Sequence, residues 1–255
     1  MNRKLAIVLA AGKGTRMKSD LPKVLVEVCG RPMIFYVLDA LQAAGVDEIL
    51  VVVGYRADDV RRTLSDRPGL RFVEQTEQLG TGHAVMVCRE ALADHAGPVL
   101  IVAGDSPLMQ ADSLRTLLAE FDRSRPACLL GTTHKPNPEG LGRVVRDAQG
   151  DFLGIVEERD ATEEQKRITE VNMSCYAFNC PDLLFALDRL RPTNAQAEYY
   201  LTDCPGALKA AGRKVEARAV LKPIEALSIN TREELAAVEA ALREPPSAAG
   251  AKQAN

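Results

Sequence analysis

The chain has 255 residues, enough for a single α/β domain or for one domain with a small lobe. Its 32 basic and 35 acidic residues leave a net charge of −3, which gives no general electrostatic reason to bind nucleic acid or membranes. No apolar run approaches the roughly 20 residues that a membrane span requires, and the first residues lead straight into a strand rather than a signal peptide, so a cytoplasmic protein is expected.

In the first half, short apolar runs alternate with helical patterns. Strands are predicted at Leu5–Leu9, Ile49–Val53, Arg71–Glu74 and Val99–Ala103. Between them, Pro32–Ala44, Ala57–Leu64 and Gly82–Ala93 carry apolar residues at helical spacing, with Pro32 suited to a first turn and Gly45 to a stop. Strands this apolar, alternating with helices, predict a mostly parallel central sheet covered on both faces. A helix over Asp112–Phe121 and a strand over Ala127–Thr132 continue the pattern.

Past about residue 134 the pattern changes. Arg143–Arg146 and Phe152–Glu157 predict an antiparallel pair around Asp147-Ala-Gln-Gly150. A charged helix over Thr162–Arg167 precedes a strand at Glu170–Phe178, helices at Pro181–Leu190 and Thr202–Ala211, and a strand at Val215–Ala219. Thr231 is a suitable cap for a last helix to Leu242. The expected organisation is one unit over 1–242: a first half (1–134), then a second half (135–242) with a β-rich lid over the carboxyl edge of the sheet. The Pro-, Ala- and Ser-rich tail (243–255) reads as disordered. The cysteines, Cys29, Cys88, Cys128, Cys175, Cys180 and Cys204, form no CxxC pair and read as reduced core residues. His83, His95 and His134 are too scattered for a zinc site.

The chemistry concentrates where the first strand ends. Gly12 and Gly14 let the backbone close around a ligand, since glycine has no Cβ to obstruct it, and backbone N–H groups in such a loop bind anions. Lys13, Arg16 and Lys23 lie within the same short stretch, so glycines and cations together suggest a polyphosphate site. Two familiar phosphate loops are excluded. The P-loop spacing before Gly-Lys-Ser/Thr is missing, and Met17 stands where a dinucleotide fingerprint needs its third glycine. Ligands of open α/β sheets bind beyond the carboxyl ends of the strands. Asp105, after the fourth predicted strand, could hold a hard divalent cation bridging phosphates, or could simply open the turn before Pro107. Gln75 and the Gly80-Thr81 turn could read a base. His83, alone at a helix start, reads as structural or as a minor hydrogen-bonding group. Phosphoryl-type transfer to an acceptor that is already anionic needs no nucleophile–base pair, because positioning and charge neutralisation suffice.

The word Leu9-Ala-Ala-Gly-Lys-Gly-Thr-Arg-Met17, followed by Pro22-Lys23, resembles the signature of the sugar-nucleotidyltransferases. Gln75, Gln78-Leu-Gly-Thr-Gly-His-Ala84, Gly140-Leu-Gly-Arg143 and Asn194-Ala-Gln-Ala-Glu-Tyr-Tyr-Leu-Thr-Asp203 narrow the likeness. Together they resemble the uridylyltransferase domain of the bacterial bifunctional N-acetylglucosamine-1-phosphate uridylyltransferase/glucosamine-1-phosphate acetyltransferases, from about Lys4 to about Ala237. The resemblance implies a Rossmann-like nucleotidyltransferase fold. It implies UTP and N-acetylglucosamine 1-phosphate as substrates, UDP-N-acetylglucosamine and pyrophosphate as products, and Mg2+ as cofactor, in the supply of peptidoglycan precursor. By motif, Leu9, Ala10, Ala11 and Gly12 would contact nucleotide, and Arg16 and Lys23 the phosphates as catalytic cations. Gln75, Gly80 and Thr81 would hold uracil, with Ala103 and Gly104 also beside the substrate. Asp105 and Asn230 would ligate the metal, and Gly142, Glu157 and Asn172 would line the sugar pocket.

The sequence departs from that pattern in places. It stops at Asn255, before the β-helix that carries acetyl transfer and trimerisation in the bifunctional relatives. Uridylyl transfer alone and no β-helix-mediated trimer are therefore expected, with a separate acetyltransferase as one conceivable partner. Met173-Ser174 stand where relatives often carry Thr-Gly, and Ala103 where many carry Tyr. The competing readings are the same chemistry on another sugar 1-phosphate or nucleotide, and a non-catalytic sugar-nucleotide sensor.

Overall fold

Six consecutive apolar residues, Leu5–Ala10, form the strand β1, of which all but Leu9 are buried. The computed structural model, which describes residues 3–14, 20–227, 229 and 231–243, sets β1 within a nine-stranded sheet. A strand's side chains alternate between faces, so an uninterrupted apolar run fits only where both faces are covered. Leu5 and Ile7 enter one core, while Ala6, Val8 and Ala10 enter the other.

Next comes a small ribbon, β2 (Glu27–Val28) and β3 (Arg31–Pro32), whose turn holds Cys29 at φ 52° and Gly30 at φ 75°. Helix α1 (Met33–Ala43), β4 (Glu48–Val53), α2 (Ala57–Thr63) and β5 (Leu70–Glu74) complete one side of the sheet. Helices α3 (Thr81–Met86) and α4 (Arg89–Leu92) then lead to β6 (Pro98–Ala103), α5 (Ala111–Ser124) and β7 (Cys128–His134). The second half adds β8 (Gly142–Arg146), β9 (Phe152–Val156), β10 (Glu170–Asn179), α6 (Cys180–Leu187), α7 (Asp203–Ala210), β11 (Val215–Arg218) and α8 (Arg232–Arg243).

The strand order is β11-β7-β10-β6-β1-β4-β5, with β8 and β9 branching from β10. Every pair along this path is parallel except those of β10, which runs antiparallel to both β6 and β7. After β1 the chain builds outward through β4 and β5, then returns to the other side of β1 with β6. That reversal opens a crevice at the carboxyl ends of β1 and β6, where open α/β sheets bind their ligands. One face of the sheet packs on Val85 of α3, Leu183 of α6 and Leu208 of α7; the other packs on Ile34 and Leu38 of α1, Val60 of α2 and Leu117 of α5.

The predicted α/β class and mostly parallel sheet are present, and four local differences have physical causes. The helix expected over 82–93 breaks between Met86 and Arg89, where the Cys88 N–H bonds back three residues to the Val85 carbonyl and the side chain is fully buried. The charged helix expected over 162–167 shrinks to one 3-10 turn, Gln165–Arg167. Its start is closed by reciprocal Thr162 and Gln165 side-chain bonds of 2.9 and 3.2 Å. The two-residue strands β2 and β3 are too short for a period to show. Cys29 is exposed, while the other five cysteines are buried. The 147–150 turn forms as expected, with the Asp147 carboxylate accepting from the Gln149 and Asp151 amides at 3.0 and 2.8 Å. Among the described residues no helix is long and apolar enough to cross a membrane. The tail assigned to 243–255 lies, after Arg243, outside the described residues.

Arg146 ties the branch to the sheet. Its Nε and one Nη donate to the two oxygens of Glu170 at 2.6 and 2.7 Å, and Thr132 Oγ1 donates to the same carboxylate at 2.7 Å. Burial pushes the Glu170 carboxyl up, but these donors outweigh burial and hold it below its ordinary value. A carboxyl so depressed adds stability above its unfolded value and loses it as pH falls through the folded one. Glu170→Gln is therefore expected to cost roughly 2 kcal/mol at neutral pH, in line with hydrogen bonds to charged groups. The gap should close on acidification below about pH 4, where an unperturbed glutamate also protonates. Urea unfolding of both proteins across that pH range measures it.

Candidate functional site

The register at the crevice is tight. Leu9 pairs with Val52 of β4 on one side and Ala103 of β6 on the other, and the Gly104 N–H donates to the Leu9 carbonyl at 2.9 Å. A Cβ on Gly104 would lie 2.9 Å from that carbonyl, so the loop after β6 can hug β1 only with glycine. Gly14, at φ 66°, faces Lys23 so closely that a Cβ would sit 2.6 Å from the Lys23 Cβ. The second glycine of the loop thus makes room for the lysine nine residues later. Lys23 opens a 3-10 turn, Lys23–Leu25, and its ammonium reaches the Asp105 carboxylate at 2.7 Å. Lys13 is drawn aside, with its ammonium 5.2 Å from the Tyr55 ring centre.

Leu9, Ala11, Gly12, Lys23, Gln75, Gly80, Thr81, Ala103 and Asp105 border one cavity of about 390 Å3. Of the residues expected to touch nucleotide, Ala10 points the other way and is buried in the opposite core, so only its backbone can serve. Gly104 lies beneath rather than in the cavity lining. Arg16 and Asn230 lie outside the described residues. Four lining residues were not assigned from sequence: Val24, Gln78, Ser174 and Glu198. Gln78 and Glu198 do stand inside the singled-out words.

Gln75 is 3 % exposed. Its amide donates to the Gly80 carbonyl at 3.1 Å and lies 3.0 Å from His83 Nδ1. Gly80 adopts φ 106°, and a Cβ there would lie 2.6 Å from the Tyr199 carbonyl. The Gly82 N–H donates to that same carbonyl at 2.7 Å, Tyr199 N–H to Leu79 at 2.8 Å and Leu201 N–H to Thr81 Oγ1 at 3.1 Å. The loop 79–82 is therefore clamped to the segment 199–201.

Gly142, Glu157 and Asn172 also come together. Asn172 is the register partner of Gly142, and a Cβ on Gly142 would lie 3.5 Å from both Asn172 Cβ and Glu157 Oε2. Glu157 Oε1 accepts from Thr202 Oγ1 at 3.0 Å, and Glu157 borders a second cleft of about 400 Å3 with Gly140, Gln196 and Tyr200. Burial raises the Glu157 carboxyl above its ordinary value; Thr202 pulls it back, and Asp203 and Asp160 add to the rise. The fully buried Arg143 holds the strap of chain from Glu158 to Lys166, donating to Glu158 at 2.7 Å and to the Lys166 carbonyl at 3.3 Å.

The two residues of the unusual pair Met173-Ser174 part ways in the structure. A register shift in the β10–β7 pairing between Asn172 and Tyr176 turns Met173 against the core of α1 and α5, and brings Ser174 to the cavity beside Leu9 and Asp105 at φ 49°. The left-handed region suits glycine, which explains why that residue type fits here at no steric cost.

The donor chemistry at Asp105 suits Mg2+, which is commonly held by one or two carboxylates together with substrate phosphates rather than by a full protein cage. Among the described residues no cluster of three or more His, Cys, Asp or Glu forms such a cage. One carboxylate at the edge of an open cavity is an arrangement that leaves a cation's other positions to further oxygens.

Residues 6–225 match the model of the MobA-like NTP transferase domain. The chain belongs to that family. As a MobA-like NTP transferase it is an enzyme of the sugar-nucleotidyltransferase type, and many curated relatives carry the name "Bifunctional protein GlmU". That of Pelotomaculum thermopropionicum is 46% identical over 239 residues, covering 93% of this chain and 52% of the relative. That of Alkaliphilus oremlandii is 45% identical over 238 residues, 93% of this chain and 51% of the relative. The chain spans about half the length of the curated relatives it matches. Among solved structures, a Bacillus anthracis protein assigned as a glucose-1-phosphate thymidylyltransferase, in complex with sucrose, superposes with TM-score 0.77 at 19% identity, covering 95% of this chain and 96% of that one. A UDP-glucose pyrophosphorylase complexed with UDP-glucose gives TM-score 0.73 at 16% identity, over 95% and 98% of the two chains. At these identities the structures establish the shared fold of the NTP transferase domain.

Two stability effects should follow from this geometry. Ser174→Gly relieves a left-handed serine and is expected to stabilise by up to about 1 kcal/mol, after the extra chain entropy of glycine is set against the strain. Glu157→Gln removes a carboxylate whose ionisation is penalised by burial while keeping an acceptor for Thr202. For an acid with a raised folded value, stability falls as pH rises from its unfolded value through the folded one. The glutamine variant should therefore melt at a higher temperature than the parent at pH 7 and lose that advantage on acidification; thermal scans at the two pH extremes decide it.

Proposed function

We propose that the protein transfers a uridylyl group from UTP to N-acetylglucosamine 1-phosphate, releasing pyrophosphate. The observation that carries this reading is the Lys23–Asp105 ion pair at the mouth of the β1/β6 crevice. On one side of the pair is the cavity bordered by Gln75, Gly80 and Thr81; the chain then runs from Ser174 to the Asn172, Gly142 and Glu157 set. Residues 1–134 would supply the nucleotide side, and 135–242 most of the sugar side. The likeness to GlmU proteins over 93% of the chain supports the choice of uridine and of the 2-acetamido sugar.

A sugar phosphate whose second pKa is about 6 is largely dianionic at neutral pH, so it arrives as its own nucleophile. One of its oxygens attacks the α-phosphorus of UTP in line. The bond from that phosphorus to the oxygen bridging to the β-phosphorus breaks, and pyrophosphate leaves with the electron pair. Lys23 opposes the charge that grows on the phosphoryl oxygens, and Arg16 would join it from the glycine loop. Asp105, with Asn230, would hold Mg2+, which when bound neutralises phosphate charge and orients the triphosphate. On the acceptor, Glu157 and Asn172 would hydrogen-bond sugar hydroxyls while Gly142 leaves space for the ring.

Pyrophosphate release with Mg2+, measured for several nucleoside triphosphates against several sugar 1-phosphates, tests it directly. Turnover confined to UTP with N-acetylglucosamine 1-phosphate is expected. Turnover with another pair would keep the mechanism and change the substrate, and silence with UDP-sugar still bound would leave a sensor. Asp105→Asn should lower kcat by about 100-fold, on the scale of losing one pre-organised electrostatic partner, with UDP-sugar binding largely kept.

A further inference from the structure

The amide of Gln75 is locked in one orientation by two neighbours, the Gly80 carbonyl and His83. The Gln75 main chain is fixed from both sides: its N–H donates to the Val53 carbonyl at 2.8 Å, and its carbonyl accepts from Gln78 Nε2 at 3.0 Å. Two neighbours then compete for the side-chain amide. The Gly80 carbonyl, 3.1 Å from Nε2, can only accept, so the amide nitrogen must face it. The second amide hydrogen points to His83 Nδ1 at 3.0 Å, which requires that this ring nitrogen be unprotonated and the proton sit on Nε2. Both amide hydrogens are then used within the protein. The carbonyl oxygen Oε1 is left as the group's remaining hydrogen-bonding atom, at a residue that borders the nucleotide-side cavity.

From this we infer that His83, reinforcing the Gly80 carbonyl, sharpens the base specificity of the site, acting through Gln75 as a positioning residue. The inference rests on the proposed nucleotide reading of that cavity. An amide held as an acceptor pairs with a base that offers a ring N–H, as uracil does at N3, and opposes one that offers a lone pair there, as cytosine does. A free amide would turn over and accept either, because its two ends are nearly the same size. With one end fixed, the wrong base leaves a buried polar atom facing its like, which is the kind of mismatch that discriminates strongly. His83 is itself held in the first turn of α3 and lies 6.4 Å, centre to centre, from the Tyr199 ring, on the segment that clamps loop 79–82. The lock is therefore built from the same clamp that fixes Gly80.

The test is calorimetric titration of UTP and CTP, with Mg2+ present, into the full chain and four variants. His83→Ala is expected to weaken UTP binding roughly 3- to 10-fold, the worth of one hydrogen bond, and to leave CTP unchanged, so that the UTP:CTP preference narrows. His83→Asn, whose carbonyl oxygen can accept where Nδ1 does, should restore most of the preference. In a Gln75→Ala background, His83→Ala should cost nothing further, since coupled residues are not additive. In turnover the His83→Ala loss should fall on the KM for UTP and spare kcat, because the base lies away from the reacting phosphorus. Equal weakening of UTP and CTP, or the same cost with and without Gln75, would make His83 merely structural and overturn the inference while leaving the base site standing. A Gln75→Ala protein that keeps the parent UTP:CTP preference would overturn the base-site reading, and this inference with it.

Discussion

Parallel pairing of β1 between β4 and β6 is the constraint on which the site depends. Because Leu9 is in register with Ala103, the loops after both strands leave the sheet at the same height and face each other across a crevice. The Gly104 N–H to Leu9 carbonyl bond then draws the second loop over the end of the first strand. Lys23 and Asp105, separated by more than eighty residues of chain, meet only as a consequence. A side chain at position 104 would push the backbones apart and separate the charges that the proposed reaction uses. Sheet geometry and electrostatics are thus one problem here: the ion pair is as good as the register beneath it.

A second dependence runs across the molecule. Loop 79–82 is hydrogen-bonded to 199–201, Thr202 donates to Glu157, and Glu157 stands against Gly142 and Asn172. Asn194 organises the approach to this segment, accepting from the Gln196 and Glu198 amides at 3.2 Å each and donating to the Glu198 carbonyl at 2.5 Å. The residues proposed for base and for sugar therefore share one support. Domain division by sequence halves conceals this, because 194–203 belongs by position to the second half and by contact to both.

Much of this was legible from local pattern. The apolar run Leu5–Ala10, the glycine loop after it and Asp105 after the next central strand are all signals a few residues long, and each places itself at the carboxyl edge once the sheet is parallel. The antiparallel pair around Asp147–Gly150 was readable because its turn chemistry is local. What sequence could not show depends on partners far along the chain. Nothing at Gly14 announces that its missing Cβ makes room for Lys23, and nothing at Glu198 says that it borders one cavity with Ala11 and Gln78. The break at Cys88 is set by a fully buried side chain, so a helical period alone runs straight through it. By sequence alone His83 is a lone histidine at a helix start; its meaning comes from the Gly80 carbonyl, whose direction depends on a positive φ and on Tyr199.

The contrast between Glu157 and Glu170 shows where the fold accepts cost. Both are glutamates on the β-rich side with at least one hydroxyl donor. Glu170 has a bidentate arginine and Thr132, which hold its carboxyl below the ordinary value against burial. Glu157 has one hydroxyl and two acidic neighbours, so burial prevails and ionisation is disfavoured. A carboxylate that the protein leaves under-satisfied keeps acceptor capacity for something else, and a sugar hydroxyl is a donor of the right size. Arg143, the guanidinium within reach, is turned instead to Glu158 and to main-chain carbonyls, where it shapes the strap without neutralising Glu157. The stability lost at Glu157 and the binding proposed for it would then share an origin, burial that no directly paired cation offsets.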